Sequence, residues 1–363
     1  MPSLKSDMAR EGDEDRILEI NRLEYGPGDI LATREDFAWR QRQNPAGQAI
    51  IPVIRDHEGH VAGFIWVVPM RVRVGGQDYA SAMGSNLVIH PDSRNSLGYA
   101  MLIRNFQRIF DERRLPFHFS FVSRETFLRE RGANPRMAAT VPALIKIYDW
   151  PKTLRAYAKG RRMKPGSGAF KGRKPSLLSS KREEIVDQAI LIRQKQGFDE
   201  RFDRFWEGVR DKYSASLIRD KSFLGWRFAP VSGRKYEVLV AETAGLMLGY
   251  AVLGCEIIRG VAVGLISDFL VSGDSLGREA GVSLLKAAGS LFRECGMEAS
   301  AALAPRFSDE YRILRRAGFL PLPRFFSLRT SYFAVFLHPG SANAPASLSA
   351  KNWFMTFADY ESL

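Results

Sequence analysis

Apolar positions along the chain recur with two different spacings, and the changes from one to the other predict its elements. Ile17, Ile20 and Leu23 share one side of a short helix that begins near Glu14. After the loop Gly26-Pro27-Gly28, a second short helix carries REDFAWRQRQNPAG. Ile50 to Ile54 and Val61 to Val68 read as strands around the turn Asp56 to Gly59, and MRVRVGGQDYASAM reads as a hairpin with Gly75-Gly76 at its tip. The stretch Gly84 to Phe110 then sets an apolar strand, a Pro-containing turn, a glycine and an amphipathic helix in succession. Leu102, Phe106, Ile109 and Phe110 fall on one face of that helix. The strand His118 to Val122, a helix containing TFLRERG and a strand near Leu144 to Tyr148 follow.

The second half of the chain has the same plan. It predicts helices over Glu183 to Gln196 and Phe198 to Tyr213, the run SFLGWRFAP, and strands YEVLVAE, LGYAVLGC and GLISDFLV. A helix with Leu284, Leu285, Ala288, Leu291, Phe292 and Cys295 at helical spacing comes next, then the strand ASAALA, a helix ending LRRAGF and a strand near Phe325 to Tyr332. Landmarks recur in order: Trp39-Arg40 with Trp226-Arg227 at an offset of 187, Gly63 with Gly249 at 186, Asn86 with Asp268 at 182, Gly98 with Gly281 at 183, and Gly132 with Gly318 at 186. Such order implies a tandem duplication of one α/β unit. The two Trp-Arg pairs are expected to anchor a helix of each unit to its sheet, the Arg stacking or pairing with a carboxylate. The expected division is a first domain over 1–150, a linker over 151–182, a second domain over 183–335 and an extension over 336–363. The terminal NWFMTFADYESL is too aromatic for a free tail and is expected to pack on one of the sheets.

Composition narrows the class. With 363 residues and 45% hydrophobic content the chain can fill two cores. No apolar run approaches the roughly eighteen residues that cross a bilayer, and the first thirty residues are too charged for a signal peptide, so a cytoplasmic protein is expected. Cys255 and Cys295 lie far from any metal-ligand spacing and read as free thiols, with no metal expected. The net charge of +13 is concentrated: Pro151 to Arg182 holds eleven Lys and Arg and no acid. Its KPGSGAFKGRKPS breaks a helix and marks a flexible connection. This basic segment is either simply solvated or touches an anionic surface such as lipid headgroups, a polyanionic substrate or nucleic acid.

The helix start within Gly84 to Phe110 offers free backbone amides and the positive end of a helix dipole, a place suited to phosphate oxygens. Val88, Pro91, Arg94, Gly98 and Ala100 resemble the V-x-P-x-x-R-x-x-G-x-G/A turn of the GNAT superfamily of acyl-CoA-dependent N-acyltransferases, and the likeness covers nearly the whole chain, once per half. It implies an α/β (α+β) chain of two tandem GNAT-like domains, each a mixed, mostly antiparallel sheet flanked by helices. It also implies acetyl-CoA or another acyl-CoA as co-substrate, held by Val88, Arg94, Asn95, Ser96, Leu97, Gly98, Tyr99 and Ala100. Gly98 lies four residues after Arg94 where the family has three, so either the turn is one residue longer or Asn95 takes the basic residue's slot. The second-half turn VSGDSLGREAGVSLL has no Pro-x-x-Arg and carries Asp274, although Gly277, Arg278 and Gly281 remain, so the first half is the expected cofactor site. DEYRILRRAGF resembles the family's late helix, but Leu314 and Leu128 stand where the family has its tyrosine acid.

Acyl transfer to an amine needs a neutral amine, an oriented carbonyl and an amide to stabilise the oxyanion, with a base that can act through water. Asp268, flanked by apolar residues on its strand, is a candidate base, with Glu242 a weaker one; a carboxylate hydrogen-bonded to a neighbouring strand or to Arg227 is the alternative. Asn86 holds the equivalent place in the first half and can orient but not take a proton, whereas His90 and His118 could. Tyr311 could replace the missing acid or merely pack its helix. Three functions are compatible with these residues. One is an acyl-CoA-dependent N-acyltransferase acting on an amine of a small molecule or cell-envelope precursor. Another is a Fem-like transferase using aminoacyl-tRNA, contacted through 151–182, for peptidoglycan. A third is a non-catalytic binding protein of the same fold.

Overall fold

In the computed structural model, the described residues are 4–134, 136–161, 183–187, 190–231, 233–322, 331–338 and 344–360. The chain divides into two units, Met1–Ala138 with Phe333–Ala350, and Ala139–Tyr332 with Lys351–Leu363.

The first unit runs β1 (Lys5–Met8), α1 (Glu14–Tyr25), α2 (Arg34–Arg42), β2 (Pro52–Arg55), β3 (Val61–Val74), β4 (Gln77–Ile89), α3 (Ser96–Arg113), β5 (Phe117–Val122) and α4 (Arg124–Ala133). β6 (Ala138–Val141) marks the chain's passage to the second unit. The expected strand Val61 to Val68 and the first arm of the expected hairpin are one continuous strand, so β3 and β4 form a single long antiparallel pair turning at Gly75-Gly76. Both glycines have positive φ, the conformation such a turn needs. The apolar face of α3 packs Leu102, Phe106, Ile109 and Phe110 against Ile54, Ala62, Ile65, Val67, Ala82 and Ile89. Arg40 of α2 is buried, donates to Asp36 Oδ2 at 2.8 Å and lies over the Trp66 ring, as the Trp-Arg pattern implies.

The second unit begins one strand earlier than expected. β7 (Ala143–Ile147), the strand anticipated near Leu144 to Tyr148, pairs antiparallel with a strand of the second sheet. α5 (Trp150–Arg161) occupies the first part of the expected linker; the rest of that segment, 162–182, lies outside the described residues. β8 (Glu183–Asp187) and β9 (Ile190–Lys195) replace the helix expected over Glu183 to Gln196. There Ile190 and Ile192 alternate inward, and β9 pairs with β11. Then come α6 (Glu200–Val209), β10 (Ala215–Leu217), α7 (Lys221–Arg227), β11 (Glu237–Thr243), β12 (Leu246–Ile258), β13 (Val261–Val271), α8 (Ser275–Glu294), β14 (Ala299–Leu303), α9 (Asp309–Arg316) and β15 (Leu320–Pro321). The sheet order is β15-β7-β14-β13-β12-β11-β9-β8.

The last strand expected for the second domain, near Phe325 to Tyr332, lies largely outside the described residues. Of that range Phe325 to Thr330 are not described, and β16 (Ser331–Leu337) joins the first sheet next to β5, in the order β1-β2-β3-β4-β5-β16-β6. Each unit therefore takes a strand from the other half of the sequence, which displaces both expected boundaries. The aromatic terminus packs as anticipated, with β17 (Trp353–Phe354) parallel to β10 in the second unit.

The duplication is visible in register. Gly63 faces Ile89 across β3 and β4, and Gly249 faces Val271 across β12 and β13. At both glycines the facing strand passes so close that a Cβ would meet a backbone oxygen, Val88 O at 3.1 Å or Leu270 O at 2.8 Å.

Candidate functional site

In the first unit, β4 and β5 run parallel but share a single register pair, Met83 with Phe119. Beyond it the strands part. The register of β4 against β3 shifts at the same place, between the partners of Phe64 and Trp66, and Asn86 there has φ 43°. Asparagine tolerates this left-handed backbone better than most residues, because its short polar side chain can bond locally. Asn86, Leu87, Ser120, Phe121 and Val122, which border the gap, are all only partly buried. Ser85 Oγ and Asn86 Nδ2 are enclosed and have no hydrogen-bond partner among the described residues. Buried polar atoms are rarely left this way, so the gap is equipped to receive a polar ligand.

The helix start lies just past β4. A 3-10 turn over Pro91–Ser93 leads to Asn95, whose side chain caps α3 by accepting from Gly98 N at 2.8 Å. No described group accepts from the amides of Ser96 and Leu97, which leaves two donors at the positive end of an eighteen-residue helix. Ser96, Leu97, Tyr99 and Ala100 are exposed around them, whereas Val88 is buried in β4. Gly98 itself is buried, and a Cβ there would stand 3.2 Å from Ile54 Cδ1 and 3.3 Å from Ser93 O. Arg94 folds back to Ile89 O at 3.1 Å and donates to Glu24 Oε2 at 2.6 Å. Of the two alignments left open by the spacing, the cap favours Asn95 in the slot before the helix, with the charge of Arg94 engaged by Glu24.

The second unit carries the same parts in a closed form. β13 and β14 pair in parallel only as far as Ile266 with Ala302, and the register of β13 against β12 shifts at Ser267. Asp274 caps α8 by accepting from Gly277 N at 2.6 Å. The structural counterpart of Gly98 is therefore Gly277, not Gly281, because the first-unit turn is longer by the three residues of its 3-10 segment. Backbone hydrogen bonding from Gly277, with the Ser272 hydroxyl, holds the Asp274 carboxyl below its ordinary pKa, so this helix start is supplied with its own anion. Unlike its counterpart, every residue of β13 from Ser267 to Val271 is buried, as is all of β14.

Side chains of the second unit account for that closure. Asp268 is fully enclosed, accepting from Tyr250 Oη at 2.7 Å, Thr356 Oγ1 at 2.7 Å and Arg219 Nε at 3.3 Å. Arg219, equally buried, also bonds Asp359 and sits over the Phe354 ring. Burial opposes the Arg219 charge, yet Asp359 and Asp268 together hold its pKa above the ordinary value. Burial pushes Asp359 up to about 6 despite Arg219, and burial followed by the Asp268 charge raises Tyr250 well above the usual phenol. Farther along β13, Lys212 donates to Val271 O at 2.9 Å and to Glu310 Oε1 at 2.8 Å, and Tyr213 bonds Glu310 while stacking on Phe354.

Asp268 is thus enclosed and bonded on both carboxylate oxygens. Its cationic partner is Arg219, not Arg227, which instead donates to the carbonyls of Ala358 and Tyr360. Tyr311 packs half-buried beside the core of the second unit, and no described contact links it to Asp268. Glu242 is paired with Arg201. In the first unit His118 is buried, with Nδ1 2.8 Å from His338 Nε2 and its ring stacked on Phe110 and Phe336. Burial, reinforced by His338, keeps His118 well below its ordinary pKa. His90 caps the following turn. The Arg219 cluster and the Lys212–Glu310 pair were missed from sequence, since their partners lie far along the chain, and the Ser85 hydroxyl was missed because no motif marks it. Among the described residues, side chains placed to hold a metal ion group at Asp56, Glu58 and His60, in the exposed turn where Asp56 already accepts from the Glu58 and His60 amides.

Comparison with solved structures brings both units together. A tandem GNAT protein from the clavulanic acid biosynthesis pathway superposes with a TM-score of 0.53 at 15% identity, covering 93% of this chain and 99% of its own. The chain has two GNAT folds in tandem. A GCN5-related N-acetyltransferase from Kribbella flavida gives a TM-score of 0.57 at 12% identity, covering 93% of this chain and 71% of its own. Saccharomyces cerevisiae N-myristoyltransferase, solved with bound myristoyl-CoA, gives 0.56 at 13% identity, covering 93% and 78%. No family model and no curated protein sequence matches. In GNAT terms, the strand shift, the parting strands and the following helix start occur once in each unit, open in the first and filled in the second. No helix among the described residues is long and apolar enough to cross a membrane.

Proposed function

We propose that the protein is an acyl-CoA-dependent N-acyltransferase whose first unit holds the acyl-CoA, with the second unit retained as a filled, structural copy. The contrast between the two helix starts carries this reading. A neutral Asn95 caps α3 and leaves the Ser96 and Leu97 amides open, whereas the carboxylate of Asp274 caps α8. The gap between β4 and β5 suits the thin arm of the co-substrate, and Ser85 Oγ and Asn86 Nδ2 lie at its inner end with bonding capacity to spare. The likeness to a GCN5-related N-acetyltransferase from Anabaena variabilis and to Saccharomyces cerevisiae N-myristoyltransferase supports the same reaction.

The thioester supplies an activated acyl group. The residues of the first unit bind and orient it: the helix start neutralises phosphate charge, the parted strands hold the arm, and the shifted backbone at Asn86 offers amides to a developing oxyanion. Asp268 and Tyr311, the candidates that sequence offered for proton transfer, both belong to the second unit. Positioning therefore carries the rate, and the amine proton leaves through water. The acceptor is an amine of a small molecule or cell-envelope precursor.

Calorimetric titration with acetyl-CoA and longer acyl-CoAs tests this. Asn95→Asp keeps the cap but adds the charge found in the second unit, and should weaken binding about tenfold. Leu97→Glu, at an exposed position, should do at least as much, while Arg278→Glu at the other helix start should leave affinity unchanged. Loss in Arg278→Glu with wild-type binding in both first-unit variants would move the site to the second unit. Absence of binding in every protein would favour a non-catalytic role, and aminoacyl-tRNA-dependent turnover would favour the Fem-like reading.

A further inference from the structure

α5 presents to solvent a face that the other described residues do not use. Thr153, Ala156 and Tyr157 hold the helix down: Thr153 is buried and donates to Asp149 O at 2.6 Å, and the other two pack against a cluster that includes Val261, Val263 and Leu265. On the adjoining side Trp150, Leu154 and Ala158, spaced four apart, are exposed, Trp150 56% and Leu154 58%. Lys152, Arg155 and Lys159 flank them, all exposed. Two neighbouring elements add cations at the same place. Arg259 donates to Tyr157 Oη at 3.1 Å, and Arg293 lies 5.3 Å from the Tyr148 ring. The nearby acids are committed: Asp149 accepts from Lys152 N at 2.9 Å to cap the helix, and Glu298 is buried, accepts from Ala262 N and lies 3.8 Å from Lys152 Nζ.

We propose that α5 is a docking surface for an anionic lipid bilayer, with Trp150 and Leu154 entering the headgroup boundary and Lys152, Arg155 and Lys159 meeting lipid phosphates. An exposed indole and leucine inside a basic rim match the amphipathic character of interfacial helices. The charge is complementary, each basic residue near such a surface favouring partition about fivefold. Trp150 is a single exposed indole with Leu154 and Ala158 beside it, so successive nucleic-acid bases find no continuous stacking platform. A second copy of this face would bring like charges together. With one helix and two apolar anchors, the association is peripheral and reversible, and it is independent of the acyl-transfer reading.

The test is flotation of the full chain with vesicles of phosphatidylcholine, with and without phosphatidylglycerol, at low and high salt. Wild type should float with the anionic vesicles only and be released by salt. Trp150→Ser/Leu154→Ser and Arg155→Glu/Lys159→Glu should each lose about tenfold or more in partition, with melting temperatures unchanged because all four side chains are exposed. Fluorescence supplies a check that needs no disruptive variant: brominated lipid should quench wild type more than Trp150→Phe. Equal flotation of both double variants, equal binding to neutral vesicles, or equal quenching of wild type and Trp150→Phe each overturns the proposal. So does single-stranded RNA binding that both double variants abolish while flotation stays intact.

Discussion

Two buried carboxylates in one cluster show how far side-chain environment departs from sequence expectation. An aspartate on an apolar strand reads as an open base, yet Asp268 is surrounded by Tyr250, Thr356 and Arg219, and burial lifts its neighbour Asp359 to about 6. Arg219→Met would leave both carboxylates enclosed without a countercharge and should cost about 3–5 kcal/mol in urea unfolding. Asp268→Asn keeps partners for its carbonyl oxygen and should cost less, about 1–3 kcal/mol. An unchanged unfolding midpoint in Arg219→Met would show that the cluster is not structural. Asp359 also sets a pH dependence of definite sign. Its folded value lies above the roughly 3.9 of an unfolded aspartate, so between these values the folded chain holds a proton that the unfolded chain lacks. The resulting stability is fully present below about 4 and is lost as pH rises through about 6, about 3 kcal/mol in all. Relative to Asp359→Asn, wild type should lose stability by that order across this window; parallel profiles for the two proteins would contradict it.

At the scale of elements, the strand-turn-helix of each unit was legible because its signals are local. Asn95 and Asp274 both cap helices through the amide three residues on, a bond that sequence spacing alone announces. The mismatch of Gly98 with Gly281 arose because the extra turn at Pro91–Ser93 shifts the true counterpart to Gly277. β8 and β9 were misread since the isoleucines of EEIVDQAILIRQKQ satisfy both spacings, and only the distant partner β11 decides between them. The parting of β4 and β5 depends on equally distant contacts. A Cβ on Gly84, just before the strands separate, would stand 2.7 Å from Phe106 Cζ and 2.8 Å from Ser120 Oγ. Gly84→Ala should therefore lower stability by about 1–3 kcal/mol and weaken acyl-CoA binding with it. Gly225→Ala, in α7 with open space around the site, should instead stabilise by about 0.5–1 kcal/mol. Equal melting temperatures for the two variants would mean that β4 and α3 yield at no cost, and that the gap is not fixed by this packing.

For the molecule as a whole, duplication explains the fold and exchange of strands explains why the halves no longer correspond to units. Repeated landmarks fixed the two-domain plan, but no local pattern could tell that β7 belongs to the second sheet or β16 to the first, because a lone strand carries no mark of its partner. The exchange has a consequence for dissection. A fragment of residues 1–161 would lack β16, the neighbour of β5, and carry β7 unpaired. A fragment of residues 183–363 would lack β7, which lies between β14 and β15. Unpaired strand edges of this kind favour aggregation over folding. Each fragment expressed alone should be insoluble or melt without a cooperative transition, whereas the two expressed together should give a soluble pair that binds acyl-CoA like the intact chain. The discriminating measurement is the thermal transition of each purified fragment, read beside that of the pair. A first fragment that melts as cooperatively as the whole protein, and still binds acyl-CoA, would show that the open unit needs nothing from the second half of the sequence. The second copy would then be dispensable for the fold of the first, and its retention would have to be explained by what its own surfaces bind.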